Sequence, residues 1–298
     1  VSAIHSLFQS PIDASHLTIV NNNIIDAQGN VVSNIHNNLI YLLAVNESDT
    51  TTAWHQDANT HFDYITHYHQ DAIEVDYFHE YVDPETEHEN HRIHQIIWSK
   101  IKSKKGIILD VGCGRAWVAQ HALPLGYDVV SMDITPINVN KAIQKYPHQN
   151  HYGLVADVFS LPIRDNSVDV IIASEIIEHV FDPDLFLHKL ITALKPGGQL
   201  IVTTPYNECI EYSLCIHCNH KTPHNAHIHS FTLERVEAVM QKLASTHKYT
   251  STFANKLLIK MRTGKFFKYL SYPLWRLIDR LSLFFIYKPK RWLWVIEK

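Results

Sequence analysis

A doubly wound α/β sheet, mostly parallel, is the fold expected of this chain. Short apolar runs recur through its middle: Ile107-Ile108-Leu109, Val129-Val130, Leu154-Val155-Ala156, Val168 to Ile172 and Leu200-Ile201-Val202. Helix-like stretches fill the intervals, and strand, helix, strand at this spacing implies parallel pairing with helices on both faces. Seven of the nine glycines fall between positions 106 and 198, marking a region with demanding backbone geometry.

Taken in order, residues 1–45 alternate apolar and polar side chains around polar turns such as Asp26 to Asn30, which predicts a small N-terminal β appendage. Residues 46–100 form an acidic, aromatic-rich linker and a first helix, with Ile93, Ile96, Ile97 and Ile101 on one face. Residues 101–250 hold the core. There Ile107 to Leu109 enter a glycine turn, a helix runs from Trp117 to Leu123 before Pro124, and Pro136 opens the next. A further helix spans about 182 to 194, and Pro196-Gly197-Gly198 precedes the strand through Val202. Residues 251–298 are a basic, aromatic extension containing a last strand at Trp292 to Ile296.

Composition narrows the class. A chain of 298 residues with 46% hydrophobic and 19% charged side chains can bury one large core and is not disordered. Four cysteines are too few for a disulfide scaffold. No charged-then-apolar leader opens the sequence and no apolar run is long enough to span a bilayer, so a cytoplasmic setting is expected. Charge is divided unevenly: residues 1–100 hold 14 acids against Arg92 and Lys100, whereas residues 241–298 hold 13 Lys and Arg against Asp279 and Glu297. The acidic third can dock on the basic tail, or the tail can face an anionic partner.

The chemistry centres on Leu109-Asp110-Val111-Gly112-Cys113-Gly114, a strand running into a glycine turn. Gly112 and Gly114 allow close backbone approach to a ligand. Asp110 before the turn would repel a pyrophosphate and suits a cationic ligand. Asp133 ends the next strand, where an acid can bind both hydroxyls of a ribose, and Asp157 ends the third. These residues, with Ser174-Glu175-Ile176-Ile177-Glu178-His179 and Leu194-Lys195-Pro196-Gly197-Gly198, resemble the class I S-adenosylmethionine-dependent methyltransferases over roughly residues 88–245. The resemblance implies a Rossmann-like sheet whose last strand enters antiparallel, and S-adenosyl-L-methionine as cofactor. It places Asp110, Gly112 and Gly114 at the methionine part, Asp133 at the ribose, Asp157 and Val158 at the adenine, and Ser174 and Glu175 along the methyl-donor channel. The Leu7 to Asp13 segment, with Gly29 and Leu39 to Leu43, is similar to a small zinc ribbon in which Ser10 and Asp13 replace the cysteines.

Methyl transfer is an in-line displacement, so a base is needed only for a protonated acceptor. His179 is the nearest candidate, or it and Glu178 simply orient the site wall. A metal is the alternative. Glu175, Glu178 and His179, at i, i+3 and i+4, would share one helical face. Ubiquinone-pathway and small-RNA methyltransferases show a similar pattern, and some bind a divalent ion such as magnesium there; the RNA enzymes add a later His before an aromatic, as His229-Ser230-Phe231 would. Separately, the Cys/His loop at 207–230 offers Cys215, Cys218 and His229 as a zinc set.

The expected reaction is methylation of an O, N or C atom of a small-molecule or lipid-like acceptor. The alternatives are a non-catalytic cofactor-binding or scaffolding protein and an RNA methyltransferase, although no basic stripe interleaves the motifs and nucleic acid is disfavoured. Within residues 265–286, Leu274, Leu277, Ile278, Leu281 and Phe285 make an apolar helical face opposite Arg276, Asp279 and Arg280. Such a helix either packs on its own domain or over the acceptor pocket, or lies peripherally on an anionic membrane.

Overall fold

The computed structural model describes residues 3–44, 52–53, 61–62, 64–79, 83–216, 219–243 and 247–298. The N-terminal part supplies β1 (Thr18–Val20), β2 (Asn23–Ile25), β3 (Val31–Asn34) and β4 (Leu39–Tyr41). The short pair β5 (Thr52–Ala53) and β6 (His61–Phe62) precedes α1 (Tyr64–Glu74) and α2 (Pro84–Trp98). The core runs β7 (Ile107–Val111), α3 (Trp117–Ala122), β8 (Asp128–Asp133), α4 (Pro136–Lys145), β9 (His151–Val155), β10 (Val168–Ser174), α5 (Pro183–Ala193) and β11 (Leu194–Pro205). A hairpin of β12 (Tyr212–Leu214) and β13 (Lys221–Pro223) leads to α6 (Leu233–Lys242). Then come β14 (His247–Asn255), α7 (Lys256–Lys260), α8 (Gly264–Phe267), α9 (Tyr272–Phe285) and β15 (Pro289–Glu297).

Helix starts follow from local chemistry. Side chains of Asp83, Thr135, Asp182 and Thr232 each accept a backbone N–H of the first turn, and Pro84, Pro136 and Pro183 fill positions with no donor to lose. The main sheet has the order β14-β15-β11-β10-β7-β8-β9-β4. Its central strands are parallel and β15 enters antiparallel between β11 and β14. Alternate residues divide between two cores. Leu109, Val130, Leu154, Ile171 and Leu200 pack with α5, α6 and the N-terminal segment. Ile108, Val129, Val155, Ile172 and Ile201 pack with α2, α3, α4 and Trp275 of α9.

Two expectations are corrected. The N-terminal segment keeps a three-stranded antiparallel sheet (β1-β2-β3), but β4, expected in the same small unit, pairs in parallel with β9 at the edge of the main sheet. Ile4, Leu7, Phe8, Leu17 and Ile24 join the main core, so this segment is part of the domain. The second correction concerns α9. It packs on its own domain, yet through Trp275, Asp279 and Leu283, while Leu274, Leu277, Leu281 and Phe285 face outward. The polar side turns inward because each buried polar group is met: Asp279 accepts the Asn255 N–H at 3.1 Å and pairs with Arg276 at 2.6 Å.

The acidic and basic parts of the chain also meet. Asp83 lies 3.9 Å from Arg262, Glu89 pairs with Lys290 at 2.5 Å, and Glu85 accepts the Gly264 and Lys265 N–H groups at 3.0 and 3.2 Å.

Candidate functional site

The sheet order reverses at β7, with β8 and β9 to one side and β10 to the other. Ligands of open α/β sheets bind at the carboxyl ends of the strands beside such a reversal. Asp110 stands near the end of β7, Asp133 ends β8, Asp157 follows β9, and Ser174 ends β10.

Asp110 is 2% exposed and its Oδ2 has no hydrogen-bond partner. Burial, and secondarily Asp133, pushes its carboxyl well above the usual range. An uncompensated buried acid of this kind suits a ligand that brings a positive charge. Gly112 (φ 67°) and Gly114 (φ 43°) take left-handed backbone, and a Cβ on Gly112 would run into the Ile176 side chain. Asp133 accepts the Thr135 N–H at 3.1 Å and the Asn138 amide at 3.2 Å, and burial raises it to about 6.

Asp157 accepts the Phe159 N–H at 3.0 Å and the Tyr64 hydroxyl from α1, while burial raises its pKa. Val158 is buried beside it. Phe159 stacks on Phe181 with ring centroids 3.9 Å apart, and Tyr64 lies against both. The end of β9 thus offers a carboxylate and aromatic rings, a setting for a flat heteroaromatic group.

Ser174 bonds Thr203 at 3.0 Å. Glu175 (φ 58°) pairs with Arg291 of β15. The segment from Glu175 to Val180 is a turn, not the expected helix, so Glu175, Glu178 and His179 do not form a single helical face. Glu178 and His179 instead meet His227, their ligand atoms all lying within 4.8 Å of one another. The loop is fastened there by the Glu178 carbonyl, which accepts the Ile228 and His229 N–H groups at 2.9 and 3.1 Å.

The trio is arranged for metal or proton chemistry. Glu178 is 1% exposed, accepts the Thr204 hydroxyl at 2.9 Å through Oε2, and leaves Oε1 without a partner. His179 Nδ1 faces the Ala226 carbonyl at 3.2 Å and must donate to it, which leaves the Nε2 lone pair available. Burial, then His227, lowers its pKa to about 4, so the ring is neutral. His227 Nδ1 faces Glu208 at 2.6 Å, the carboxylate–histidine arrangement that orients metal ligands.

His229 lies elsewhere. Its Nδ1 accepts from Arg235 at 3.0 Å, and a guanidinium so close disfavours a bound cation. Burial, then Arg235, lowers the His229 pKa to about 4. Of the proposed zinc set, Cys218 lies outside the described residues. Glu178, His179 and His227 are the one candidate metal group among the described residues. In the sequence His227 is legible only as one of several loop histidines. Glu208, Tyr64 and Arg291 carry no local motif at all.

Residues 109–202 match a family described as a methyltransferase domain. A Mycolicibacterium smegmatis protein named a probable S-adenosylmethionine-dependent methyltransferase is 28% identical over 117 residues, 38% of this chain and 44% of that protein. A ubiquinone biosynthesis O-methyltransferase from Chelativorans sp. is 34% identical over 102 residues, 33% of this chain and 39% of the relative. The chain therefore spans less than half the length of these curated relatives. A solved S-adenosylmethionine-dependent methyltransferase from Mesorhizobium loti shares the fold at 15% identity, with a TM-score of 0.50 over 71% of this chain and 100% of that one.

Proposed function

We propose that this chain, which carries a methyltransferase domain match at residues 109–202, is a class I S-adenosylmethionine-dependent methyltransferase that methylates an oxygen of a small-molecule acceptor carrying two neighbouring oxygens. The observation that carries the reading is the row of acids Asp110, Asp133 and Asp157 at or just past the ends of three adjacent parallel strands, with Glu178 and His179 on the turn after the next strand, β10, meeting His227.

The residues present fit the donor. Asp110, with an unpartnered buried oxygen, suits its ammonium; Asp133 suits the ribose hydroxyls; Asp157 with Phe159 suits the adenine. When bound, the sulfonium supplies an electrophilic methyl group. The protein's part is then alignment and control of the acceptor proton. A hydroxyl attacks poorly until its proton is weakened or removed. Glu178, His179 and His227 would hold a divalent ion, which would supply Lewis acidity to weaken the proton of an acceptor hydroxyl. The unpartnered Glu178 Oε1 and the neutral His179 ring fit that role. Without the ion, His179 Nε2 accepts the proton as general base. Similarity to the ubiquinone-pathway O-methyltransferases supports an oxygen acceptor.

Two measurements test this. Titration calorimetry should show S-adenosylhomocysteine binding that falls at least tenfold in Asp110→Asn; a parent protein that binds none refutes the cofactor site. With a catechol as probe, Mg²⁺ or Mn²⁺ should restore the activity removed by EDTA, and His227→Ala should lose that restoration. Full activity in excess chelator assigns the proton to His179 alone.

A further inference from the structure

We propose that α9 and its flanking turns form a docking surface for an anionic lipid bilayer, which the protein meets peripherally. The motivating feature is a helix whose amphipathicity is turned outward. Leu274, Leu277, Leu281, Phe284 and Phe285 occupy a stripe about 100° wide, and all are exposed, Phe284 at 81% and Phe285 at 78%. Trp275, Asp279 and Leu283, on the opposite side, anchor the helix to the domain. Ile286 and Tyr287 extend the exposed apolar surface past the helix end. A contiguous patch of this kind on a folded protein marks an interaction site.

The charges around the stripe say what covers it. Lys265 and Lys268 precede α9, Arg280 lies on its flank one turn before Phe284, and Lys288 follows it. Lys256 is held next to Lys288, its N–H bonded to the Lys288 carbonyl at 2.8 Å. All five side chains are exposed, and none has an acidic partner among the described residues. Asp279 is the sole acid between positions 256 and 291, and it is buried against Arg276. A shallow groove of about 400 Å³, walled by Arg276, Arg280, Tyr287 and Thr252, opens between α9 and β14. Apolar and aromatic side chains ringed by unpaired bases match the boundary between acyl chains and anionic headgroups. A second copy of the chain would set these bases against one another, and RNA offers no apolar counterpart to a leucine stripe. Among the described residues no helix is long and apolar enough to cross a membrane.

The full chain should cosediment with vesicles of phosphatidylcholine mixed with phosphatidylglycerol, and much less with phosphatidylcholine alone. Binding should reverse at roughly 0.5 M NaCl, where the Debye length falls to a few ångströms. Reversing Arg280, Lys256 and Lys288 to Glu should lower partitioning about fivefold or more per base. Phe284→Ser with Phe285→Ser should lower it at least tenfold, with little change in melting temperature because both rings are largely exposed and removed together. Three results would each overturn the proposal: no binding to anionic vesicles at low salt, undiminished binding by the two-serine variant, or a concentration-dependent dimer that this variant dissolves. Binding of single-stranded RNA by protein that ignores vesicles would overturn it too.

Discussion

At Asp133, the needs of the fold oppose those of the proposed ribose contact. Burial raises the carboxyl from an ordinary value of 3.8 to about 6, against the bonds it accepts from Thr135 and Asn138. Because the folded-state pKa is the higher one, the protonated acid favours the fold. Its ionisation costs nothing below about pH 4, and the cost grows between pH 4 and 6. Above pH 6 it levels off at about 2–3 kcal/mol. In the proposed ribose role, ligand binding should have the reverse dependence, since a ribose hydroxyl is best accepted by the carboxylate. Asp133→Asn should therefore raise the melting temperature at pH 7 by several degrees while weakening S-adenosylhomocysteine at least tenfold. In the parent, affinity should decline below about pH 6, up to tenfold per unit. In the variant it should be flat there. Calorimetry and thermal melting across pH 5–8 read both; a variant with parental affinity and an unchanged pH profile removes Asp133 from the site.

Among the elements, one buried cation joins Glu85 in tying α2 to the helices before β15. Arg92, 2% exposed, donates to the Phe267 and Leu270 carbonyls at 2.6 and 2.8 Å, and its guanidinium lies 5.0 Å from the Trp275 ring centre. It donates to one carbonyl at the end of α8 and one just beyond it, while covering Trp275 of α9. Arg92→Met keeps the stem but leaves buried carbonyl capacity unmet, at a cost of about 2–4 kcal/mol. Arg92→Lys should recover little of this, because a point charge cannot span both carbonyls and stack on indole. Chemical denaturation measures each loss, and a lysine variant as stable as the parent would show that charge alone suffices.

For the whole molecule, the N-terminal segment is structural. β4 closes the edge of β9, with the Leu42 N–H bonded to the Val155 carbonyl at 2.9 Å, and apolar side chains of the segment from Ile4 to Leu42 join the core with α5 and the strands. Removing residues 1–44 would bare a parallel edge strand and a large apolar face, two routes to aggregation. The truncated protein should be largely insoluble, or melt well below the full chain by scanning calorimetry. A soluble truncation with the parent's melting temperature would make the segment a true appendage.

The central sheet and the acids along its edge were open to reading because their causes are local. Continuous apolar runs, a glycine turn after Asp110, and proline with a polar cap at the starts of α2, α4 and α5 act within a few residues of themselves. Asp110, Asp133 and Asp157 inherit their positions from the strands they end. The meeting of Glu178 and His179 with His227 depends on a loop of about twenty residues folding back onto the Glu178 carbonyl, and nothing in the composition of that loop selects His227 over His229. Arg235 decides between them by placing its charge beside His229. The pairing of Glu175 with Arg291 spans 116 positions and exists because β15 inserts beside β11. Helix α9 makes the same division plain. Its periodicity fixes a stripe of leucine and phenylalanine. Whether that stripe turns inward or outward was settled by partners brought together in three dimensions, Arg276 and the Asn255 N–H for Asp279, and Arg92 for Trp275.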